Sequence, residues 1–215
     1  MKKTGNVHGL DLALVIKELN ECHPEKDTIL LDHYINTFTE FARFFDAMGK
    51  LFSFVSKDVH EKVGILAKHR QSSHGEKFKT MQSMMEYEIK NDLTTSKSAE
   101  GLLSGSRTVL RLHRALAFII GMLRKVDGGS DHDKVSTLAG EAYNDSLAHF
   151  HPWLVRKAVG FALYTLPTRK HFMENSFKES PEEAHKILPD LLQISDTVYD
   201  EVEQLYTKHD LLMLP

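Results

Sequence analysis

Three arginines recur along one predicted helix at spacings that place them on a single face. At about 100° per residue, Arg107, Arg111 and Arg114 point in the same direction, with Phe118 in line and Met122 close by. A buried guanidinium requires an anionic partner, and its planar fork matches the oxygens of a phosphate. The pattern therefore predicts a phosphate site that opens into an apolar cavity. The alternatives are pairing of these arginines with Asp or Glu from neighbouring helices, or exposure to solvent.

A second charged pair, Asp58 and Lys62, has the i, i+4 spacing of residues on one helix face. An acid that precedes a lysine by four residues is a common surface pair that stabilises a helix by about 0.2–0.5 kcal/mol. In the functional interpretation, Asp58 accepts hydrogen bonds from an amide and a hydroxyl, and Lys62 adds positive charge for a phosphate. The spacing alone favours the surface pair.

His151 and Trp153 flank Pro152 at the predicted start of a helix. The histidine is either a residue of the helix cap or a hydrogen-bond donor to a ligand carbonyl or phosphate. Trp153, the only tryptophan of the chain, is either a core residue or a membrane-interface residue, because indole is favoured at the depth of lipid headgroups. The sequence leaves both pairs of alternatives open.

The elements that must position these side chains are all predicted to be helices, because apolar residues recur at three- and four-residue spacings and alternating runs are scarce. Pro152 and Pro167 suit first-turn positions, and Pro189 is a candidate interruption of the last helix. The predicted helices cover residues 10–19, 32–50, 56–70, 78–89, 107–124, 135–147, 152–164, 167–177 and a last segment from the Ser-Pro-Glu-Glu sequence at 180–183 to about residue 209.

Composition and charge exclude several classes of protein. The net charge of −3 argues against a nucleic-acid-binding protein. The single cysteine cannot form an internal disulfide or build a metal set, and we expect no metal and no cofactor. The longest apolar run, residues 115–123, is far shorter than the ~18 residues of a membrane span. We expect one soluble, cytosolic, monomeric domain over residues 1–215, with a short tail at about 1–8.

Several segments, taken in order, resemble the glycolipid transfer protein family, and within it the branch that transfers ceramide-1-phosphate. The resemblance covers nearly the whole chain. It is carried by LFSFVSKDV at 51–59, RTVLRLHRAL at 107–116, YNDSL at 143–147, HPW at 151–153, TLPTR at 165–169 and LLMLP at 211–215. The fold that it implies is a two-layer all-α sandwich with a headgroup site on the surface and a hydrophobic slot between the layers.

The resemblance also implies roles for individual residues. Asp58 would bind the ceramide amide and sphingoid hydroxyl, and His151 the acyl-amide carbonyl. Lys62, Arg107 and Arg111 would hold the phosphate. The founding glycolipid branch has an asparagine in place of Lys62 and a sugar-stacking tryptophan in place of Arg111, so this chain has the set suited to phosphate.

For the remaining surfaces, the hydrophobic pocket is expected to include four apolar side chains, and Trp153 is expected to dock the protein on membranes. The pocket residues are Phe52, Val55, Phe118 and Met122. The implied function is intermembrane transfer of ceramide-1-phosphate, without enzymatic activity and with transient association at trans-Golgi, endosomal and plasma membranes. The alternatives are transfer of neutral glycosphingolipids, sensing of a phosphosphingolipid without shuttling, and lipid hydrolysis, for which no nucleophile is evident.

Overall fold

The computed structural model describes residues 5–215, and these residues form nine α-helices and no β-strand. Three short 3₁₀ turns, Lys50–Phe52, Gly75–Phe78 and Ala148–Phe150, connect them. The helices are α1 (Leu12–Cys22), α2 (Leu31–Ala47), α3 (Ser53–Gln71), α4 (Met81–Lys90), α5 (Gly105–Gly128), α6 (Val135–Ser146), α7 (Trp153–Tyr164), α8 (Arg169–Asn175) and α9 (Pro181–Lys208). The all-α prediction is confirmed.

The helices pack as a two-layer sandwich in which α5 has the most central position. This helix contacts α3, α4, α6 and α9, while α1 packs against α2 and α9, and α2 packs against α3. A single cluster of buried apolar side chains extends through these contacts. The helix that carries the three arginines is therefore held from several sides.

The N-terminus of α5 is fixed by a buried carboxylate. Glu88 of α4 is 1% exposed and accepts hydrogen bonds from the Ser104 hydroxyl at 2.8 Å, the Gly105 amide at 2.6 Å and the Ser106 amide at 2.9 Å. Ser104 in turn caps the helix by accepting from the Arg107 amide at 3.1 Å. Since the first amides of a helix have no partners within it, this acceptor set stabilises the start of α5 and the position of Arg107.

Several predicted helix boundaries differ from the structure by two residues or more. Helix α3 begins at Ser53 rather than residue 56, because α2 ends at Ala47, Gly49 adopts φ 92° and a 3₁₀ turn leads directly into α3. Helix α8 begins at Arg169, so Pro167 precedes the helix, and Pro152 is likewise the residue before α7. Both prolines thus lie outside the first turn.

The predicted interruption at Pro189 does not occur, since α9 continues through it to Lys208. A proline inside a helix costs about 3 kcal/mol. Burial of neighbouring Leu188 and Leu191 offsets this cost. The helix begins at Pro181, within the Ser-Pro-Glu-Glu sequence that the prediction placed just before it, and a capping box joins Ser180 and Glu183.

The predicted N-terminal tail lies partly outside the described residues, which begin at Gly5. The next residue, Asn6, donates its amide to the Phe177 carbonyl at 2.9 Å and its side chain to the Asn175 carbonyl at 2.7 Å. Asn6 is thus held against the end of α8 and the residues that follow it. None of the helices in the described range is both long and apolar enough to span a bilayer.

Candidate functional site

A cavity of about 460 Å³ is lined by side chains from α2, α3, α5, α6 and α7. Most of its wall is apolar, but five side chains that carry a charge or an imidazole also line it; we call the part of the wall around them and Pro215 the entrance, since Asp58 there is largely exposed. The polar residues are Asp58, Lys62, Arg111, Arg114 and His151. The arrangement joins a hydrophobic slot to a cationic entrance, as the arginine spacing predicts.

The predicted i, i+4 pair on α3 forms at this entrance. Lys62 Nζ lies 2.5 Å from Asp58 Oδ1. Asp58 is largely exposed, whereas the side chain of Lys62 is mostly buried against the cavity. The surface-pair and ligand-binding interpretations are therefore compatible, because the pair itself lines the cavity.

The arginines of α5 bind backbone oxygens from the last residues of the chain. Arg107 Nε and Arg111 Nη2 both donate to the Pro215 carbonyl, the latter at 3.3 Å. Arg114 Nη2 donates to the Leu212 carbonyl at 2.8 Å. None of the ion pairs described between residues 5 and 215 joins these arginines to Asp or Glu, so the salt-bridge alternative is wrong for the described structure.

The positions of the arginines relative to the cavity differ. Arg111 and Arg114 line it, whereas Arg107 lies beside the entrance and reaches it through Pro215. The Arg114 guanidinium lies 3.9 Å from the centroid of the Phe150 ring, a cation–π geometry. Burial and the charge of Arg111 lower the pKa of Arg114. Arg114 is not among the residues predicted to bind the headgroup, although its position on the arginine face of α5 is a sequence signal for the site.

His151 lies in the turn between α6 and α7 and also lines the cavity. Its Nδ1 is 2.8 Å from the Tyr143 hydroxyl. Burial lowers the pKa of His151, while nearby Asp58 raises it and Lys62 lowers it, and burial raises the pKa of Tyr143. The lowered pKa favours the neutral imidazole, and Tyr143, which the sequence did not single out for a role, holds its orientation.

The predicted pocket residues fall into two groups. Phe52, Val55 and Phe118 line the cavity, and the Phe118 ring packs edge-on against Tyr143 with centroids 6.0 Å apart. Met122 does not line it, because α5 contributes no residue beyond Ile119 to the wall and Met122 is buried in the core. Phe38 and Phe45 of α2 also line the cavity.

Trp153 is 64% exposed, so it is not a core residue. It begins α7, and its ring lies 5.8 Å from Lys157 Nζ. Three further large apolar side chains on this helix are exposed: Leu154, Phe161 and Tyr164. We call these four residues, with Arg156 and Lys157, the α7 face.

Comparison with known proteins assigns the chain to a family. The sequence profile described as glycolipid transfer protein matches residues 29–178. The chain belongs to the glycolipid transfer protein family. The expected family resemblance is confirmed, and glycolipid transfer proteins carry lipids rather than catalyse reactions.

Relatives within the family match over almost the whole chain. A ceramide-1-phosphate transfer protein of Xenopus laevis is 42% identical over 89% of this chain and 89% of its own length. The crystal structure of the mouse ceramide-1-phosphate transfer protein in its apo-form has a TM-score of 0.86 and 40% identity, covering 96% of this chain and 100% of that one. The human ceramide-1-phosphate transfer protein in complex with 2:0 ceramide-1-phosphate has a TM-score of 0.86 and 37% identity, with the same coverage.

Proposed function

We propose that this protein transfers ceramide-1-phosphate between membranes. The observation that carries the proposal is the junction of a cationic entrance, with Lys62 and Arg111 in its wall, and a hydrophobic cavity of about 460 Å³. The human relative solved with ceramide-1-phosphate bound supports the same ligand. Exposing the lipid chains to water costs about 0.8 kcal/mol per CH₂ group, which the cavity avoids. Transfer makes and breaks no covalent bond.

The phosphate would be held by Lys62, Arg107 and Arg111. All three side chains meet at or beside the entrance, and a guanidinium can offer two parallel hydrogen bonds to phosphate oxygens. Lys62 already lies against Asp58, so the phosphate would share this ammonium with the carboxylate. The net positive charge of the set favours an anionic headgroup over a neutral sugar.

The ceramide portion would be oriented by Asp58 and His151. Asp58 is exposed at the entrance and can accept from the amide N–H and the sphingoid hydroxyl. In the tautomer in which Tyr143 donates to Nδ1, His151 carries its proton on Nε2 and can donate to the acyl carbonyl. The two residues would fix the lipid at the junction of its polar and apolar parts.

The α7 face would dock the protein on the bilayer. Its aromatic and aliphatic side chains suit the headgroup region, and Arg156 and Lys157 suit anionic lipids. The α7 face belongs to a single helix, and this small contact area is consistent with reversible attachment. We propose a cytosolic monomer that associates peripherally with trans-Golgi, endosomal and plasma membranes.

The decisive experiment is vesicle-to-vesicle transfer of ceramide-1-phosphate measured beside galactosylceramide. We expect faster transfer of the phosphorylated lipid. Faster movement of the galactolipid would contradict the substrate assignment and favour a carrier of neutral glycosphingolipids. Stoichiometric binding of ceramide-1-phosphate with negligible transfer would instead indicate a lipid sensor, and release of phosphate or fatty acid would indicate a hydrolase.

A further inference from the structure

The last five residues of the sequence fold back over the arginine face of α5. Helix α9 ends at Lys208, and Asp210 reverses the chain direction in the left-handed region at φ 56°. Leu211 is buried, and Leu212 and Leu214 pack against the core. We call residues 211–215 the strap.

The strap presents backbone oxygens to the cations that the proposed function assigns to the phosphate. The Pro215 carbonyl accepts hydrogen bonds from Arg107 Nε and Arg111 Nη2. Pro215 also lines the cavity, as do Lys62 and Asp58. Each guanidinium keeps its other N–H groups, so the Pro215 oxygen competes with a phosphate for one donor of each arginine and for the space beside it.

Different arginines hold the two ends of the strap. Arg114 Nη2 lies 2.8 Å from the Leu212 carbonyl and its guanidinium also stacks on Phe150, whereas Pro215 accepts from Arg107 and, at 3.3 Å, from Arg111. Met213 is 87% exposed. Displacing residues 213–215 would lift Leu214 off the core and break its backbone hydrogen bond to Leu211, but it would leave α9 and Leu211 in place.

We propose that the strap is a displaceable occupant of the phosphate site: the backbone oxygen of Pro215 accepts from Arg107 and Arg111 and gives way to the headgroup when lipid binds, while Arg114 keeps the strap anchored at Leu212. This inference rests on the proposed function. It assigns Arg114 the role of a positioning residue that acts through the strap. The strap would keep two neighbouring cations paired while the site holds no lipid.

The first test is a variant that ends at Leu212 and so lacks Met213, Leu214 and Pro215. We expect it to bind acetyl-chain ceramide-1-phosphate about threefold to tenfold more tightly than the full chain, because the competing hydrogen bonds to charged donors are removed but partly replaced by water. The full-length Met213→Ala variant is the control, and its affinity should equal that of the unmodified chain. Unchanged or weaker binding by the shortened variant would overturn the inference.

The second test follows the strap in the full-length chain. Met213→Cys places an exposed thiol on it, while Cys22 is buried with its pKa raised to about 12 by burial and stays unlabelled. A solvent-sensitive fluorophore at position 213 should change its emission as acetyl-chain ceramide-1-phosphate is added, saturating with the dissociation constant measured by calorimetry. The same label on an Ile89→Cys variant should show no change.

The outcomes separate this inference from the proposed function. An unmodified chain that neither binds nor transfers ceramide-1-phosphate would overturn the proposed function and, with it, the inference. Saturable lipid binding without any emission change at position 213 would overturn the strap alone and leave the proposed function standing. An emission change that follows lipid binding, together with tighter binding by the shortened variant, would support both.

Discussion

Replacing Arg111 by leucine separates lipid binding from folding, because the contacts of this side chain within the protein are weak. Its guanidinium donates one hydrogen bond of 3.3 Å to Pro215, and no ion pair described for residues 5–215 includes it. Leucine is as good a helix former as arginine. We therefore expect the free energy of unfolding to change by about 0–1 kcal/mol. The melting temperature should fall by no more than about 4 °C.

The expected loss of lipid affinity is larger than this loss of stability. A hydrogen bond between charged groups contributes about 1.5–3 kcal/mol, which corresponds to a roughly 10- to 150-fold rise in the dissociation constant for ceramide-1-phosphate. Transfer between vesicles should fall with it. The measurements are calorimetric binding of an acetyl-chain lipid, the initial transfer rate, and a thermal melt followed by circular dichroism.

Arg124→Leu is the matched control for this substitution. Arg124 lies on the same helix, but it pairs with Asp196 at 2.6 Å and does not line the cavity. We expect its lipid affinity and transfer rate to equal those of the unmodified protein. Equal losses in the two variants would refute the assignment of Arg111 to the phosphate. If Arg111→Leu alone lost its cooperative thermal unfolding transition, Arg111 would be a structural residue.

Three further predictions concern other parts of the molecule. Trp153→Ala should weaken adsorption to anionic vesicles, measured by sedimentation, without changing affinity for an acetyl-chain lipid in solution, while Ile89→Ala, which also removes an exposed side chain, should leave adsorption unchanged. Glu88→Ala should lower the free energy of unfolding by about 2–4 kcal/mol in a denaturant titration, because three hydrogen-bond donors lose their buried acceptor; an unchanged midpoint would contradict the role of Glu88 at the start of α5. Burial lowers the pKa of His113 despite its hydrogen bond to Glu203. Below pH ~6.5 the unfolded chain therefore binds more protons than the folded protein, and the melting temperature should fall as the pH drops from there towards the folded pKa. His113→Gln should lessen this fall, and a pH profile identical to that of the unmodified protein would argue against the role of His113.

The helices could be predicted because local signals and tertiary packing agree along most of the chain. Helix α9 begins at the Ser-Pro-Glu-Glu sequence, where the capping box and the first-turn proline are both local features. The start of α3 could not be placed, because it depends on a positive φ at Gly49 and on a 3₁₀ turn that links two helices. At Pro189 the local signal is misleading. Proline by itself predicts an interruption of the helix, but burial of the neighbouring residues outweighs this preference.

The site could be predicted wherever its residues share one helix, and not where they meet through the fold. Regular spacing on α5 and α3 places Arg111 and Lys62 on definite faces, and both line the cavity. The same spacing extends the predicted pocket to Met122, but the cavity ends earlier along α5. The contact of Pro215 with the arginines is made by a backbone carbonyl, which every residue type possesses. Its position depends on the turn at Asp210, which has no clear sequence signal.

The turn between α6 and α7 links the two halves of the proposed transfer function. His151 lines the cavity and Trp153, two residues later, is largely exposed at the start of the α7 face. Docking of this face on a bilayer would therefore bring the cavity entrance close to the lipid headgroups. A lipid could then exchange between membrane and slot over a short path, with its phosphate close to the arginines of α5 and its chains shielded from water. The docking must also be weak enough to reverse, because a face that bound too strongly would retain the loaded carrier at the donor membrane.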